Sequence, residues 1–162
     1  FSNVFHFKDL ITWKKQRGIG MRKGWLYTRE EIMWFVKDNS KFVWNKEYQY
    51  SDIERESKNF GFKAWKDGYR CLSDNYRFSN IWSDISEVSW NWENKQKHFT
   101  PKPQKAIERI IKLHTTENDL VYDCFVGSGT TAVVAKQMKR NYIGVDINNE
   151  YCNITKERLE KI

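Results

Sequence analysis

The chain has 162 residues, enough for about one domain with its own core, and carries a net charge of +7. Its hydrophobic content of 40% and aromatic content of 16% argue for a folded chain rather than a disordered one. No stretch approaches the roughly 20 uninterrupted apolar residues of a membrane-spanning helix, and no secretory signal pattern opens the sequence.

The charge is uneven. Residues 1–37 hold Lys8, Lys14, Lys15, Arg17, Arg22, Lys23, Arg29 and Lys37 against Asp9, Glu30 and Glu31, so +5 of the total lies there. That distribution favours a polyanionic partner, nucleic acid foremost. In this part "DLITWKK" and "EEIMWFVK" are rich in the residue types of strands. Between them "QRGIGMRKGWLYTR", with three glycines and four basic residues, predicts a mobile basic loop. Residues 38–97 show aromatics scattered among polar and charged residues, with no repeat and no sustained helical period. The three cysteines, Cys71, Cys124 and Cys152, are far apart and form no metal-binding pair, so free thiols are expected.

Residues 98–162 follow a regular strand and helix alternation. Pro101 and Pro103 flank a helix start, where proline's missing N–H costs least. Ala106, Ile107, Ile110 and Ile111 then mark one apolar helix face. "LVYDCF" and "NYIGVDI" predict two buried strands, and "GTTAVVAKQM" predicts the helix between them. Tyr151, Ile154 and Leu159 mark a last amphipathic helix. Strand, helix, strand, helix in this order implies parallel strands joined by a crossover.

The turn after the first of these strands carries the chemistry. Gly127, Gly129 and Ala132 fit G-x-G-x-x-A, in which glycines permit a sharp turn and close approach of a ligand to a helix N-terminus. Asp146 ends the next strand, where a carboxylate can accept both ribose hydroxyls of an adenosine. A nucleotide triphosphatase would need a lysine after the last glycine, and "GSGTTA" has none. Asp123, at the mouth of the turn, would repel a pyrophosphate and attract a cationic amino group. Charge therefore favours S-adenosylmethionine over a nicotinamide dinucleotide, and a Rossmann-type oxidoreductase is the weaker reading.

"DCFVGSGTT", "IGVDIN" and the upstream "HFTPKPQKAIERII" resemble the amino-methylating DNA methyltransferases, with the motif order of their beta class. The family's His-Pro-Thr-Gln-Lys-Pro reads His98-Phe99-Thr100-Pro101-Lys102-Pro103, and its Asp-Pro-Phe-x-Gly-Ser-Gly-Thr-Thr spans Asp123 to Thr131 with Cys124 in place of proline. The resemblance covers residues 8–37 and 80–162 and implies a Rossmann-like α/β fold, a mixed sheet with helices on both faces, incomplete in this chain. It also implies methyl transfer from S-adenosylmethionine to the exocyclic amine of adenine, the preferred target, or of cytosine, in duplex DNA. A cytoplasmic restriction-modification enzyme, bacterial or phage-encoded, goes with it. The cofactor residues implied are Asp123, Phe125, Gly127 and Gly129 near the methionine end, Asp146 on the ribose, and Thr100 and Lys102 on the carboxylate side.

Three parts follow from this resemblance and composition. Residues 1–37 would end the catalytic subregion, 38–97 would recognise the target sequence, and 98–162 would bind the cofactor. Arg17, Arg22 and Lys23 are the expected phosphate contacts. No catalytic residue is assigned, because the family's Asp/Asn/Ser-Pro-Pro-aromatic motif needs adjacent prolines and the two present are separated by Lys102. The motif would lie upstream of Phe1, in a further segment or in a complementary chain, and the family's sheet would be left with a gap. On that expectation the 162 residues alone would not form a stable active enzyme. A homodimer is a further state left open, and a non-catalytic DNA-binding or specificity module is the alternative reading.

Overall fold

A long hairpin opens the structure. β1 (His6–Ile19) pairs antiparallel with β2 (Tyr27–Val36), from His6 opposite Val36 to Ile19 opposite Tyr27. The computed structural model describes residues 4–19, 25–48, 50–54, 75–88 and 101–162. The loop expected over 16–29 is strand at its two described ends, with Arg17 on β1 and Arg29 on β2, while residues 20–24 lie outside the described residues. Pairing across the ladder outweighs the loop-like composition. Thr12 Oγ1 donates to Glu31 at 2.8 Å, and Lys15 pairs with Glu30 on its diagonal. Each such pair adds about 0.2–1 kcal/mol to a ladder. Arg22 and Lys23 lie outside the described residues.

β1 is the middle strand of its sheet. On its other side it runs parallel to β5 (Ile81–Trp82), with Trp13 beside Trp82. These two tryptophans, Ile85 and Ala106 form the first core. The Trp13 indole N–H donates to the Ile85 carbonyl at 2.8 Å, the partner a buried indole needs. The end of the 38–97 segment thus shares a core with the hairpin and with the helix that follows. Two further strands of that segment, β3 (Tyr50–Glu54) and β4 (Asn75–Arg77), pair with each other, and Lys46–Tyr48 form one 3₁₀ turn.

Helix α1 (Gln104–His114) begins directly after Pro103, as the prolines suggest. Its four apolar positions do not share one partner. Ala106 and Ile110 pack on the two tryptophans, whereas Ile107 and Ile111 pack on Val134, Ala135 and Val121. The stripe is wide enough to serve two cores, so α1 joins the hairpin sheet to the unit that follows. Its C-terminal carbonyls are met by Asn45, whose side-chain amide donates to Lys112 and Thr115 at 2.7 and 2.8 Å.

The second unit is β6 (Leu120–Asp123), α2 (Thr130–Gln137), β7 (Asn141–Gly144) and α3 (Asn149–Glu160). β6 and β7 are parallel neighbours, as their apolar runs and the intervening helix predict. Both strands were expected to be buried, and the structure corrects this. Val121 and Tyr142 face the helices, while Leu120, Tyr122 and Ile143 on the opposite face are 58%, 62% and 48% exposed. Among the described residues, helices cover only one face of this pair. The middle of α2 is buried, with Ala132, Val133, Val134 and Ala135 each at most 5% exposed. α3 starts at Asn148, whose side chain accepts the Glu150 N–H at 2.8 Å, with Glu150 as the acid that suits a helix N-terminus.

Candidate functional site

The site forms where β6 and β7 end. β6 stops at Asp123, and Asp123 Oδ1 accepts the Phe125 N–H at 3.0 Å. This closes a local turn that leaves the Phe125 ring 85% exposed, so the ring is a surface group and not core packing. Gly127 and Gly129 follow at φ +51° and +84°, a region that side chains with a Cβ rarely adopt. The chain then enters α2 at Thr130.

The two strand ends are laced together. Val126 N–H donates to the Val145 carbonyl at 3.0 Å, and Val145 N–H to the Asp123 carbonyl at 2.8 Å. Asp146 completes the lacing with both of its oxygens. Oδ2 accepts the Gly127 N–H and Oδ1 the Asn148 N–H, each at 2.9 Å. One carboxylate therefore fixes the glycine turn and the start of the segment leading into α3. Sequence spacing marked Asp146 as a ligand residue but could not show this second task.

Gly129 also has a task that spacing does not reveal. A Cβ added there would lie 2.6 Å from Thr155 Oγ1 and 2.9 Å from Thr155 Cβ. Thr155 is buried on α3 and donates from Oγ1 to the Gly127 carbonyl at 3.0 Å. Arg158 reaches the Ser128 carbonyl from the same helix. The space at Gly129 is thus taken by α3, which carries the turn from behind.

In front of the turn is a small cleft of about 200 Å³. Lys102, Asp123, Phe125, Gly127, Thr130 and Thr131 line it. It brings together four of the residues singled out from the sequence, on two separate stretches of chain. Gly129 and Asp146 stand behind it and are not among its lining residues. Thr100 lies outside the described residues, as does His98, although the neighbouring Pro101 lines the cleft. The α2 N-terminus at the cleft has no side-chain cap and no acid in its first turn. An ammonium on Lys102 and the positive end of a helix dipole suit a carboxylate, and the Asp123 carboxylate suits an ammonium. This donor and acceptor set fits the zwitterionic methionine end of S-adenosylmethionine. The volume is that of such an end group and not of a whole nucleoside conjugate.

Lys102 is itself held. Its Nζ lies 3.0 Å from Glu30 Oε2 on β2, and the other Glu30 oxygen pairs with Lys15 on β1. Burial raises the Glu30 pKa, but the hydrogen bonds and charges of Lys15 and Lys102 outweigh it and leave it below the ordinary carboxylate value. Nothing in the one-dimensional pattern pairs residue 30 with residue 102.

Phe42 and Trp44 meet α1 and β2 on another side of the molecule. Trp34 stacks on Trp44 at 5.4 Å between ring centroids, and His114 lies 4.7 Å from Trp34. Burial lowers the His114 pKa, against the raising effect of the Val43 carbonyl, so the ring is neutral near pH 7. Phe42, Phe78 and Trp82 join these rings around a cavity of about 550 Å³. Arg17 lies on β1, remote in sequence from the glycine turn, and Cys124 and Cys152 are free thiols.

Parallel strands joined through a glycine turn, with an acid at each strand end, define the Rossmann-like fold of S-adenosylmethionine-dependent methyltransferases. The crystal structure of the M1.HpyAVI–SAM complex superposes with a TM-score of 0.66 at 31% sequence identity, over 98% of this chain and 64% of that one. The chain belongs to the N6/N4 DNA methylase family, whose profile matches residues 1–157. It is 37% identical over 158 residues to the type II methyltransferase M1.MboII of Moraxella bovis, covering 91% of this chain and 60% of that protein. It is 35% identical over 157 residues to the type II methyltransferase M.HpaI of Haemophilus parainfluenzae, covering 96% of this chain and 46% of that one. The chain thus spans about half the length of these relatives.

Proposed function

We propose that this chain is the cofactor-binding and DNA-facing part of an enzyme that methylates an exocyclic amine of adenine or cytosine in duplex DNA. The type II relatives make a restriction-modification setting the natural one. The observation that carries the reading is the cleft at the β6 end, where Lys102, Asp123 and the uncapped α2 N-terminus face one small volume. In this reading Lys102, Thr100 and the helix N-terminus receive the cofactor's carboxylate. Asp123 receives its ammonium, and Phe125 and Gly127 shape the wall. Gly129 keeps the turn in register, and Asp146 accepts the ribose hydroxyls while it holds the Gly127 N–H. Bound there, S-adenosylmethionine supplies a methyl group carried on a sulfonium. The residues of this chain bind and orient; their contribution is to fix the position from which transfer occurs.

The target base must leave the duplex stack to reach such a site. Residues 38–97 are proposed as the region that selects the sequence, on the ground of their position between the hairpin and the cofactor unit and of their polar and aromatic composition. The test is methyl transfer to duplex DNA by the intact protein. Exchanging 38–97 for the corresponding segment of a relative should change the sequence methylated, and an unchanged site with activity retained contradicts the assignment.

Arg17 on β1, with Arg22 and Lys23, is proposed to contact phosphates. Each neutralised contact adds about 0.9 to the slope of log affinity against log salt for duplex DNA. Alanine at all three positions should flatten that slope by about 2.7. A titration series showing the wild-type slope contradicts these contacts.

A further inference from the structure

We propose that Glu30 is a positioning residue for the cofactor, acting through Lys102. This rests on the reading that Lys102 meets the cofactor's carboxylate. Lys102 lies between Pro101 and Pro103, outside any helix or strand, and its side chain is 52% exposed. A lysine so placed has a flexible four-carbon stem and no intrinsic reason to point into the cleft. The contact from Glu30 Oε2 at 3.0 Å supplies one. Glu30 is in turn held from its other oxygen by Lys15, and its strand is fixed by the β1 ladder. A rigid element therefore holds the ammonium at the lip of the cleft.

The chemistry of the triad suits positioning better than blockade. An ammonium has three N–H donors, so Lys102 can keep Glu30 and still donate to an incoming carboxylate. Two lysines against one glutamate leave the cluster with a net charge of +1, so an anion is still attracted. The contact also joins the cleft to the hairpin sheet, which carries Arg17. Lys102 thus touches both the proposed cofactor half and the strand pair that precedes it in sequence.

A double-mutant cycle on the intact protein tests this, read by calorimetric titration with S-adenosylmethionine and, separately, with adenosine. Glu30→Gln and Lys102→Gln should each weaken S-adenosylmethionine binding by about three- to fivefold. The double variant should be no weaker than Lys102→Gln alone, because both changes remove the same interaction. Adenosine, which lacks the methionine end, should bind all variants equally. If Lys102→Gln weakens binding and Glu30→Gln does not, the Glu30 role is wrong while the Lys102 reading stands. Additive losses, tighter binding by Glu30→Gln, or an equal loss for adenosine also overturn it. If neither single change matters, the Lys102 reading falls too.

Discussion

Arg109→Ala should lower the unfolding free energy of the intact protein by about 3 kcal/mol, the lower end of the range for breaking a buried ion pair. The Arg109 side chain is 4% exposed, and its two terminal nitrogens reach the two Asp84 oxygens at 3.1 and 2.5 Å. The guanidinium also lies 3.9 Å from the centroid of Phe78 and 4.9 Å from that of Trp82. Alanine would remove the fork, the stacking and the stem together. Asp84 keeps Lys105 at 3.4 Å and is 31% exposed, which places the cost at the lower end.

The same pair predicts a pH effect. Burial raises the Asp84 pKa, but the Arg109 hydrogen bonds and charge outweigh it and leave the pKa lowered. A lowered folded-state pKa gives stability that is present above the unfolded carboxylate pKa, near 4, and is lost as pH falls through the folded value. Arg109→Ala should therefore flatten the acid limb of stability against pH. Urea unfolding at a series of pH values checks both effects. A wild-type midpoint and a wild-type acid limb in the variant would contradict them.

Gly129→Ala should cost about 2–4 kcal/mol, from the left-handed φ of +84° and the overpacking against Thr155 together. The loss should appear in the absence of any cofactor, because the clash is with α3 and not with a ligand. Adding Thr155→Ala should recover only part of it, since the backbone conformation remains unfavourable and the Thr155 Cβ position is still 2.9 Å away. Denaturant midpoints of the two single variants and the double variant decide this. If Gly129→Ala is neutral without cofactor, the close packing on Thr155 is wrong.

The cofactor unit was largely legible in the sequence because its signals are local. The glycine turn, the helix after it and the acid at the next strand end occupy a short stretch of chain, and hydrophobic period and backbone freedom mark them directly. The family resemblance rested on that stretch and on the segment from His98 before it, and the family match spans residues 1–157. What the pattern missed depends on contacts distant in sequence. Lys15, Glu30 and Lys102 meet only because the hairpin packs beside the stretch before α1. Thr155 limits Gly129 across 26 positions, and the Arg109–Asp84 pair spans 25. The basic stretch around Arg17 misled for a different reason. Glycine and charge there suggested a loop, but cross-strand pairing carries β1 as far as Ile19. The apolar runs of β6 and β7 identified the strands correctly and overstated their burial, because apolar residues on both faces of a strand do not show which face is covered.

The central claim is that the cleft at the end of β6, backed by Asp146, binds S-adenosylmethionine. The most direct test is calorimetric titration of the intact protein and of Asp146→Ala with that cofactor. Saturable binding is predicted, weaker in the variant by about 1–3 kcal/mol, since the ribose hydroxyls lose their acceptor and the Gly127 N–H loses its own. Unchanged affinity in Asp146→Ala, or no binding by the wild type, would contradict the account.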